Sequence, residues 1–291
     1  MTPNRRGDHA VIGWHASHEQ IGPDRLLEYV QLAEQAGFDA AMSSDHFAPW
    51  SEEQGESGFA WSWLGAAMQA TSLPFGVVNA PGQRYHPAII AQAAATLEVM
   101  FPGRFWLAIG SGQLMNEHIT GERWPLKPDR NARLRECADV IRALWAGETV
   151  THRGLVTVEE AKLYTRPGRP PMLVCAAVTA GTARWAGEWA DALITVSQPD
   201  EVLDGVLAAF RETAGPAKPA FLQVHLAYDP DPDRARETAF REWRANVGDN
   251  SVVTELRTPD QLAKAARHVR PEDVAQVVRI SSDLGQHRAW L

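Results

Sequence analysis

The residues most able to do chemistry stand in the segment Ser44-Asp45-His46-Phe47, which follows a short apolar run, with Trp50 close behind. A neutral imidazole can take up a proton at neutral pH, and nearby polar groups can hold its ring in one tautomer. We therefore predict that His46 handles a proton in a reaction. The alternative, in which this histidine only orders a loop through hydrogen bonds, stays open.

A second candidate segment is Gly110-Ser111-Gly112, which is followed by Gln113 and Asn116. Paired glycines allow a tight turn in which backbone approaches a planar ring or a phosphate. The segment lacks the third glycine of the dinucleotide-binding fingerprint, so alone it does not specify a nucleotide.

A metal site is an alternative use of the histidines. His15, Asp45, His46 and His225 could together ligate a metal ion, since barrels often build such sites from several strand ends. No His-x-His pair supports this reading, which would make the chain a metal-dependent hydrolase.

The scaffold for these residues is predicted from an alternation of short apolar strands and amphipathic helices. The predicted strands are 11–14, 38–43, 75–78, 105–109, 172–177, 192–196 and 222–228. Short strands that are apolar on both faces are typical of a parallel sheet covered by helices. Seven such units favour an α/β fold of the (β/α)8 TIM-barrel type, whose functional groups lie at the carboxyl ends of the strands. An open doubly wound sheet is the alternative.

The end of the chain departs from this pattern. Residues 259–268 and 271–278 are predicted helices, and Ser281-Ser282-Asp283 could cap one more helix. No eighth strand is predicted before Leu291. We expect a single barrel domain over residues 1–291 that is incomplete at its C-terminus and lacks the last strand-helix unit.

Composition limits the class of protein. The net charge of −8 argues against nucleic acid as a partner and provides no basic stripe for a membrane surface. Cys137 and Cys175 fall inside a predicted helix and a predicted strand, as expected of reduced core thiols. Residues 1–9 are polar and precede no apolar run long enough for a signal peptide. These features predict a cytoplasmic protein.

Taken together, several segments resemble the F420-dependent sugar-phosphate dehydrogenase branch of the bacterial-luciferase-like superfamily. The resemblance covers nearly the whole chain, and the set is specific although each segment alone is not. The matching segments are Ser44-Asp45-His46-Phe47, Pro49-Trp50, Arg84-Tyr85-His86-Pro87, Ile90-Ala91-Gln92, Gly110-Ser111-Gly112, Asn116-Glu117, Thr120-Gly121, Arg133-Leu134-Arg135-Glu136, Trp145-Ala146-Gly147 and 228–232.

The resemblance implies a luciferase-like barrel oxidoreductase that binds coenzyme F420 or FMN and acts on a small molecule. The resemblance implies two catalytic residues: His46 would accept or donate the substrate proton, and Trp50 would pack beside the substrate and stabilise the polar transition state. Hydride transfer is then aided mainly by holding the donor carbon and the ring at attack distance. The residues expected to bind the cofactor are Asp45, Val78, Asn79, Gly110, Ser111, Gln113, Asn116, Ala177, Val178 and Thr179. A homodimer is also expected.

Three departures from that branch argue against glucose 6-phosphate as the substrate. Gln113 stands in place of a glutamate and cannot exchange a proton. Val178-Thr179 replaces a glycine pair that lets backbone approach the cofactor phosphate. Residues 197–200 lack the lysine that binds the substrate phosphate. These changes also give FMN a slight preference over F420. Dehydrogenase, reductase and monooxygenase activities all stay open, as does a flavin-binding barrel without turnover.

Overall fold

The computed structural model describes residues 10–290, so the predicted absence of a signal peptide in residues 1–9 falls outside the described part. The chain divides into two compact units. The first comprises residues 10–47 and 56–174, and the second comprises residues 48–55 and 175–290.

The first unit contains four parallel strands in chain order. They are β1 (Gly13–Ala16), β2 (Ala40–Ser44), β3 (Phe75–Asn79) and β4 (Phe105–Ile109). Each pairs with its neighbour in parallel, and the side chains of β4 are buried on both faces, as the apolar sequence of that strand predicts. A hairpin follows α5 in the sequence, formed by antiparallel β5 (Val150–Arg153) and β6 (Thr157–Ala161).

The helices of this unit follow their strands with the end signals that the sequence carries. They are α1 (Pro23–Gln35), α2 (Ala60–Ala70), α3 (Pro87–Met100), α4 (Leu114–Glu117) and α5 (Lys127–Ala146). Proline occupies the first turn of α1, α3 and α5, where its missing N–H costs nothing. Gly147 ends α5 in a left-handed conformation with φ of 92°. The short α4 was not predicted.

The main sheet continues with β7 (Met172–Ala176), whose residues are divided between the two units, then β8 (Ala192–Val196) and β9 (Ala220–Gln223). Within residues 10–290 its strand order is β1-β2-β3-β4-β7-β8-β9. A doubly wound sheet reverses its order at a switch point, and this sheet does not. The order therefore agrees with the barrel prediction. Helix α6 (Ala180–Gly187) follows β7, and helix α7 (Asp200–Ala214) follows β8.

The C-terminal part corrects two predictions. The predicted strand 222–228 is split into β9 and β10 (Leu226–Tyr228), because the chain changes partner there: β9 pairs with β8, whereas β10 pairs with β11 (Arg279–Ser281). A further strand, β11, thus follows where none was predicted. Its three residues are too few and too polar to give an apolar pattern. The remaining helices are α8 (Pro232–Trp243), α9 (Asn250–Val253), α10 (Pro259–Ala265), α11 (Pro271–Val274) and α12 (Leu284–Trp290).

Both cysteines occupy the predicted positions. Cys137 lies inside α5 and Cys175 inside β7, and both are free thiols that are buried. The sequence-based prediction of two unpaired core thiols is confirmed. Whether the chain folds as one domain over residues 1–291 stays a prediction.

Candidate active site

The centre of the first unit's site is an ion-pair contact between His46 and Glu19. His46 follows β2, and Glu19 lies in the loop between β1 and α1. The distance between His46 Nδ1 and Glu19 Oε1 is 2.5 Å, and the side chain of Glu19 is 2% exposed whereas that of His46 is 22% exposed. One ring nitrogen of His46 therefore faces a buried carboxylate, while the ring keeps access to the outside.

The second carboxylate oxygen of Glu19, Oε2, is held by hydrogen bonds from two serine hydroxyls. Oε2 accepts hydrogen bonds from the hydroxyls of Ser17 at 2.8 Å and Ser44 at 2.9 Å. Burial raises the pKa of Glu19, but the charges of His46 and His15 and the hydrogen bonds from His46 and Ser44 outweigh it. The net effect is a pKa well below the usual range, so Glu19 is an anion at neutral pH.

Two further histidines lie near this pair. Burial lowers the pKa of His15 to about 4, against the opposing charge of Glu19. Burial also lowers the pKa of His18, whose ring packs edge-on against Trp63 with centroids 5.0 Å apart. His15 and His18 are therefore neutral at pH 7, and His46 is the histidine that faces the carboxylate.

The carboxylate of Asp45 is occupied by donors from other parts of the first unit. Its Oδ2 accepts from Asn79 Nδ2 at 2.6 Å and from Trp61 Nε1 at 3.0 Å. Its Oδ1 accepts from the hydroxyl of Tyr85 at 3.1 Å and lies 3.6 Å from Arg84. The carboxylate thus joins the end of β3, the loop after β3 and helix α2.

The backbone of residues 45–47 is fixed by side chains from three other segments. The carbonyl of Asp45 accepts from Arg84 at 2.6 Å, and that of His46 accepts from the Ser57 hydroxyl at 2.9 Å. The N–H of Phe47 donates to Asn116 Oδ1 at 2.9 Å. Each peptide group of this segment is therefore held by a separate side chain, which fixes the backbone that carries the His46 ring.

Arg84 also connects this segment to the loop after β4. Its backbone N–H donates to Glu117 Oε2 at 2.8 Å, and its guanidinium lies 3.6 Å from Glu117 Oε1. Burial raises the pKa of Glu117, with the charge of Arg84 and its backbone hydrogen bond acting in the opposite direction. Arg84 is therefore a buried cation between two carboxylates, those of Asp45 and Glu117.

The predicted cofactor residues of the first unit gather at the ends of β3 and β4. Gly110 donates its N–H to the carbonyl of Asn79 at 2.9 Å, which joins the two strand ends, and Val78 immediately precedes this point. Ser111 accepts from Lys127 Nζ at 2.5 Å. Asn116 donates to Gln113 Oε1 at 3.0 Å. The structure therefore brings Asn79, Gly110, Gln113 and Asn116 to one edge of the sheet, together with Asp45.

The other predicted residues belong to the second unit. Trp50 is half-buried, and its N–H donates to Gln54 Oε1 at 3.0 Å. Ala177 is buried, Val178 is half-buried, and Thr179 caps α6 by accepting from Thr182 N. His225 lies between β9 and β10, not inside a strand as predicted, and its ring packs on Trp243 with centroids 4.3 Å apart.

Residues 10–290 show neither a cluster of metal ligands nor a membrane-spanning helix. The described side chains contain no group of three or more His, Cys, Asp and Glu residues arranged to hold a metal ion. Among the described helices, none combines the length and apolar character needed to cross a bilayer.

Comparison with known proteins decides the family. The sequence profile of the luciferase-like monooxygenase family matches residues 9–291. The chain belongs to this family. A relative from Beutenbergia cavernae, named F420-dependent glucose-6-phosphate dehydrogenase, is 38% identical over 292 residues, which cover 96% of this chain and 87% of the relative.

Solved structures share the fold of this chain. An F420-dependent secondary alcohol dehydrogenase in complex with an F420-acetone adduct aligns with a TM-score of 0.87 and 33% identity, over 94% of this chain and 86% of that one. An FMN-bound Baeyer-Villiger monooxygenase from Pseudomonas putida aligns with a TM-score of 0.62 and 17% identity, over 94% and 85%, and shows the shared fold alone. The predicted barrel fold and the predicted luciferase-like oxidoreductase are confirmed.

Glu19, Arg84 and Glu117 are the site residues that were not predicted to be functional. The signal for Glu19 was present, because the barrel rule applies to the loop after β1 as well as to that after β2. Arg84 and Glu117 appear in the resembling segments, but nothing in their spacing predicts that they pair with one another.

Proposed function

We propose that this chain is an F420-dependent dehydrogenase that oxidises a small, uncharged alcohol, with His46 as the base that accepts the hydroxyl proton. The observation that carries this proposal is the 2.5 Å contact between His46 Nδ1 and a buried, anionic Glu19. A carboxylate in that position favours the tautomer with a proton on Nδ1, which leaves the lone pair on Nε2.

The pair gives His46 the properties of a general base. When Nε2 takes a proton, the ring becomes a cation, and Glu19 stabilises that cation across a short distance in a buried setting. The hydroxyl groups of Ser17 and Ser44 keep the carboxylate aimed at the ring. The bound cofactor would supply the other half of the chemistry by taking the hydride from the alcohol carbon.

The residues at the ends of β3 and β4 fit a flavin-type ring. Asn79 donates to Asp45, so its buried Oδ1 is an acceptor, and no described residue donates to it. A ring N–H would satisfy this atom. Val78, Gly110, Ser111 and Asn116 stay candidates for the same ring, and we assign Asp45 the role of holding Asn79.

The sequence slightly favours FMN as the cofactor. Two observations support F420 instead. The relative from Beutenbergia cavernae and the secondary alcohol dehydrogenase are both named as F420-dependent, and both exceed 30% identity with this chain. The FMN-bound monooxygenase has only 17% identity, so it supports the fold and not the cofactor.

An uncharged alcohol is supported by the residues of the second unit that the sequence singled out. Residues 197–200 read Ser-Gln-Pro-Asp and contain no cation for a phosphate group. Trp50 would pack beside such a substrate, whereas Ala177, Val178 and Thr179 stay candidates for the cofactor. The secondary alcohol dehydrogenase provides a precedent for the substrate class.

The test is an anaerobic assay of purified protein with F420 and a panel of short secondary alcohols, with glucose 6-phosphate in parallel. We expect loss of the visible absorbance of F420 with an alcohol, and little or none with glucose 6-phosphate. Binding of F420 without turnover on any alcohol would support a carrier. Oxygen consumption with reduced FMN but no F420 reduction would overturn the proposal in favour of a monooxygenase.

A homodimer belongs to the same proposal. The exposed side of helix α3 carries large apolar side chains, with Ile89 56% exposed and Met100 54% exposed, beside the polar residues Gln92 and Thr96. The charged residue of this helix, Glu98, is buried. Large apolar side chains exposed on a surface favour a protein interface there. Light scattering on the purified protein tests this expectation.

A further inference from the structure

The loop after β4 contains a relay of side-chain amides whose orientation is determined at one end. The N–H of Phe47 is a backbone donor, and it lies 2.9 Å from the side-chain oxygen of Asn116. The atom that faces it must accept, so Oδ1 of Asn116 is assigned by its partner. The Nδ2 group of Asn116 is then the donor.

The orientation of Asn116 determines that of Gln113. Asn116 Nδ2 lies 3.0 Å from Gln113 Oε1, and a donor there requires an acceptor. The remaining polar group of Gln113 is therefore Nε2, which carries only N–H donors. Within residues 10–290 no hydrogen bond from this group is present, and Gln113 is half-buried at the start of α4.

Asn79 presents the complementary group from the neighbouring strand. Asp45 accepts from its Nδ2 at 2.6 Å, which leaves Oδ1 as a buried acceptor. The two loops touch, since Gly110 donates to Asn79 and a Cβ atom on Gly112 would lie 3.3 Å from Cβ of Ala80. A fixed acceptor thus stands at the end of β3, and a fixed donor stands in the loop that follows β4, just before α4.

Flavin and deazaflavin rings share one edge that matches this pair, a pyrimidinedione with an imide N–H between carbonyl oxygens. We propose that Asn79 Oδ1 accepts from the imide N–H and that Gln113 Nε2 donates to the oxygen-bearing part of the same edge. This assignment rests on the proposed function. It makes Gln113 a cofactor-binding residue that acts without changing its protonation.

The consequence concerns the redox state of the cofactor. Reduction by hydride places negative charge on the pyrimidinedione, and a donor aimed at developing charge stabilises the charged form more than the neutral one. A hydrogen bond to a charged group is worth about 10- to 100-fold in an equilibrium constant. Gln113 should therefore favour the reduced cofactor over the oxidised one.

The experiment measures dissociation constants of oxidised and reduced F420 under anaerobic conditions. Gln113→Met keeps the length of the side chain but removes the donor, and we expect the affinity for reduced F420 to fall about tenfold more than that for oxidised F420. Gln69→Met, on the exposed side of α2, is the matched control and should change neither constant. FMN shares the pyrimidinedione edge with F420, so it is titrated in parallel. A similar effect of Gln113→Met on FMN would show that the protein recognises this edge, whereas an effect on F420 alone would show that it recognises other parts of F420.

A second variant separates hydrogen bonding from packing. Gln113→Glu introduces a titratable acid, so the ratio of the two dissociation constants should vary with pH more steeply than in the wild type over the same range. An unchanged ratio in Gln113→Met, with wild-type protein that binds and reduces F420, would overturn this inference and leave the proposed function intact. Wild-type protein that binds neither cofactor would instead contradict the proposed function.

Discussion

Nδ1 of His46 lies 2.5 Å from Oε1 of Glu19, a residue 27 positions earlier in the chain and buried in the loop after β1. The contact converts an isolated histidine at a strand end into a carboxylate-histidine pair. Glu19 is itself held by hydrogen bonds from Ser17 and Ser44, so protein groups alone set the orientation of the pair.

The first prediction concerns the charge of Glu19. Glu19→Gln keeps an acceptor for the Nδ1 proton but removes the anion that stabilises the protonated ring. We expect kcat for alcohol oxidation to fall about 100-fold with little change in KM. Glu28→Gln, an exposed carboxylate on α1, serves as the control. A loss confined to KM would show that Glu19 acts on binding and not on proton transfer.

The sequence predicted much of this site, but not its central contact. The strand-helix alternation located His46, Asn79 and Gly110 at strand ends, because short apolar strands leave few alternatives to a parallel sheet. It did not specify which nearby polar group holds the ring of His46. Adjacent side chains on an extended segment point in different directions, and Glu19 fills the position from another loop.

The C-terminal strands β9, β10 and β11 show a second feature that the sequence alone does not predict. Leu226–Tyr228 looks like the continuation of β9, because the apolar character runs on without a turn signal. The change of partner to β11 depends on a segment more than fifty positions later, which no local pattern reveals. Pairing over such separations is a tertiary property, and the sequence of either strand alone does not specify it.

The second prediction is a loss of stability between about pH 6.5 and pH 4. Burial lowers the pKa of His15 from 6.5 to about 4, so the folded state keeps this residue neutral at pH values where the unfolded chain binds a proton. Its contribution is complete above pH 6.5 and is lost as the pH falls through this window. The difference corresponds to at most about 3 kcal/mol.

The measurement for His15 is the free energy of unfolding from denaturant titrations at a series of pH values. In His15→Gln the slope of that free energy against pH between 6.5 and 4 should become shallower. The slope should not vanish, because burial lowers the pKa of His18 in the same direction. His268→Gln, at an exposed position, should keep the wild-type slope, and equal slopes in all three proteins would contradict the prediction.

The third prediction concerns the buried charge of Asp45. Four donors converge on its carboxylate, from Asn79, Trp61, Tyr85 and Arg84. Asp45→Asn replaces one acceptor oxygen by an N–H₂ group that faces donors and leaves Arg84 with less compensation. We expect the free energy of unfolding to fall by about 3 kcal/mol.

The control for Asp45 is a carboxylate in an exposed pair. Asp139 bonds to Arg135 one helical turn earlier on α5, with more than half of its side chain exposed. Asp139→Asn should cost less than about 1 kcal/mol, because solvent screens such pairs. Similar losses in the two variants would show that the convergence of donors on Asp45 carries no special stabilisation.

The last prediction contrasts two glycines with opposite expected effects. Gly76 in β3 is paired in register with Trp106, and a Cβ atom at Gly76 would lie 2.0 Å from the indole ring. Since that ring is buried in the sheet, Gly76→Ala must displace it, and we expect a loss of about 1–3 kcal/mol. Gly65 in α2 has no atom within 4 Å of an added Cβ, so Gly65→Ala should stabilise the helix by about 0.5–1 kcal/mol. Thermal and denaturant unfolding of both variants should therefore move in opposite directions from the wild type, and a wild-type midpoint for Gly76→Ala would show that Trp106 does not occupy that face of β3.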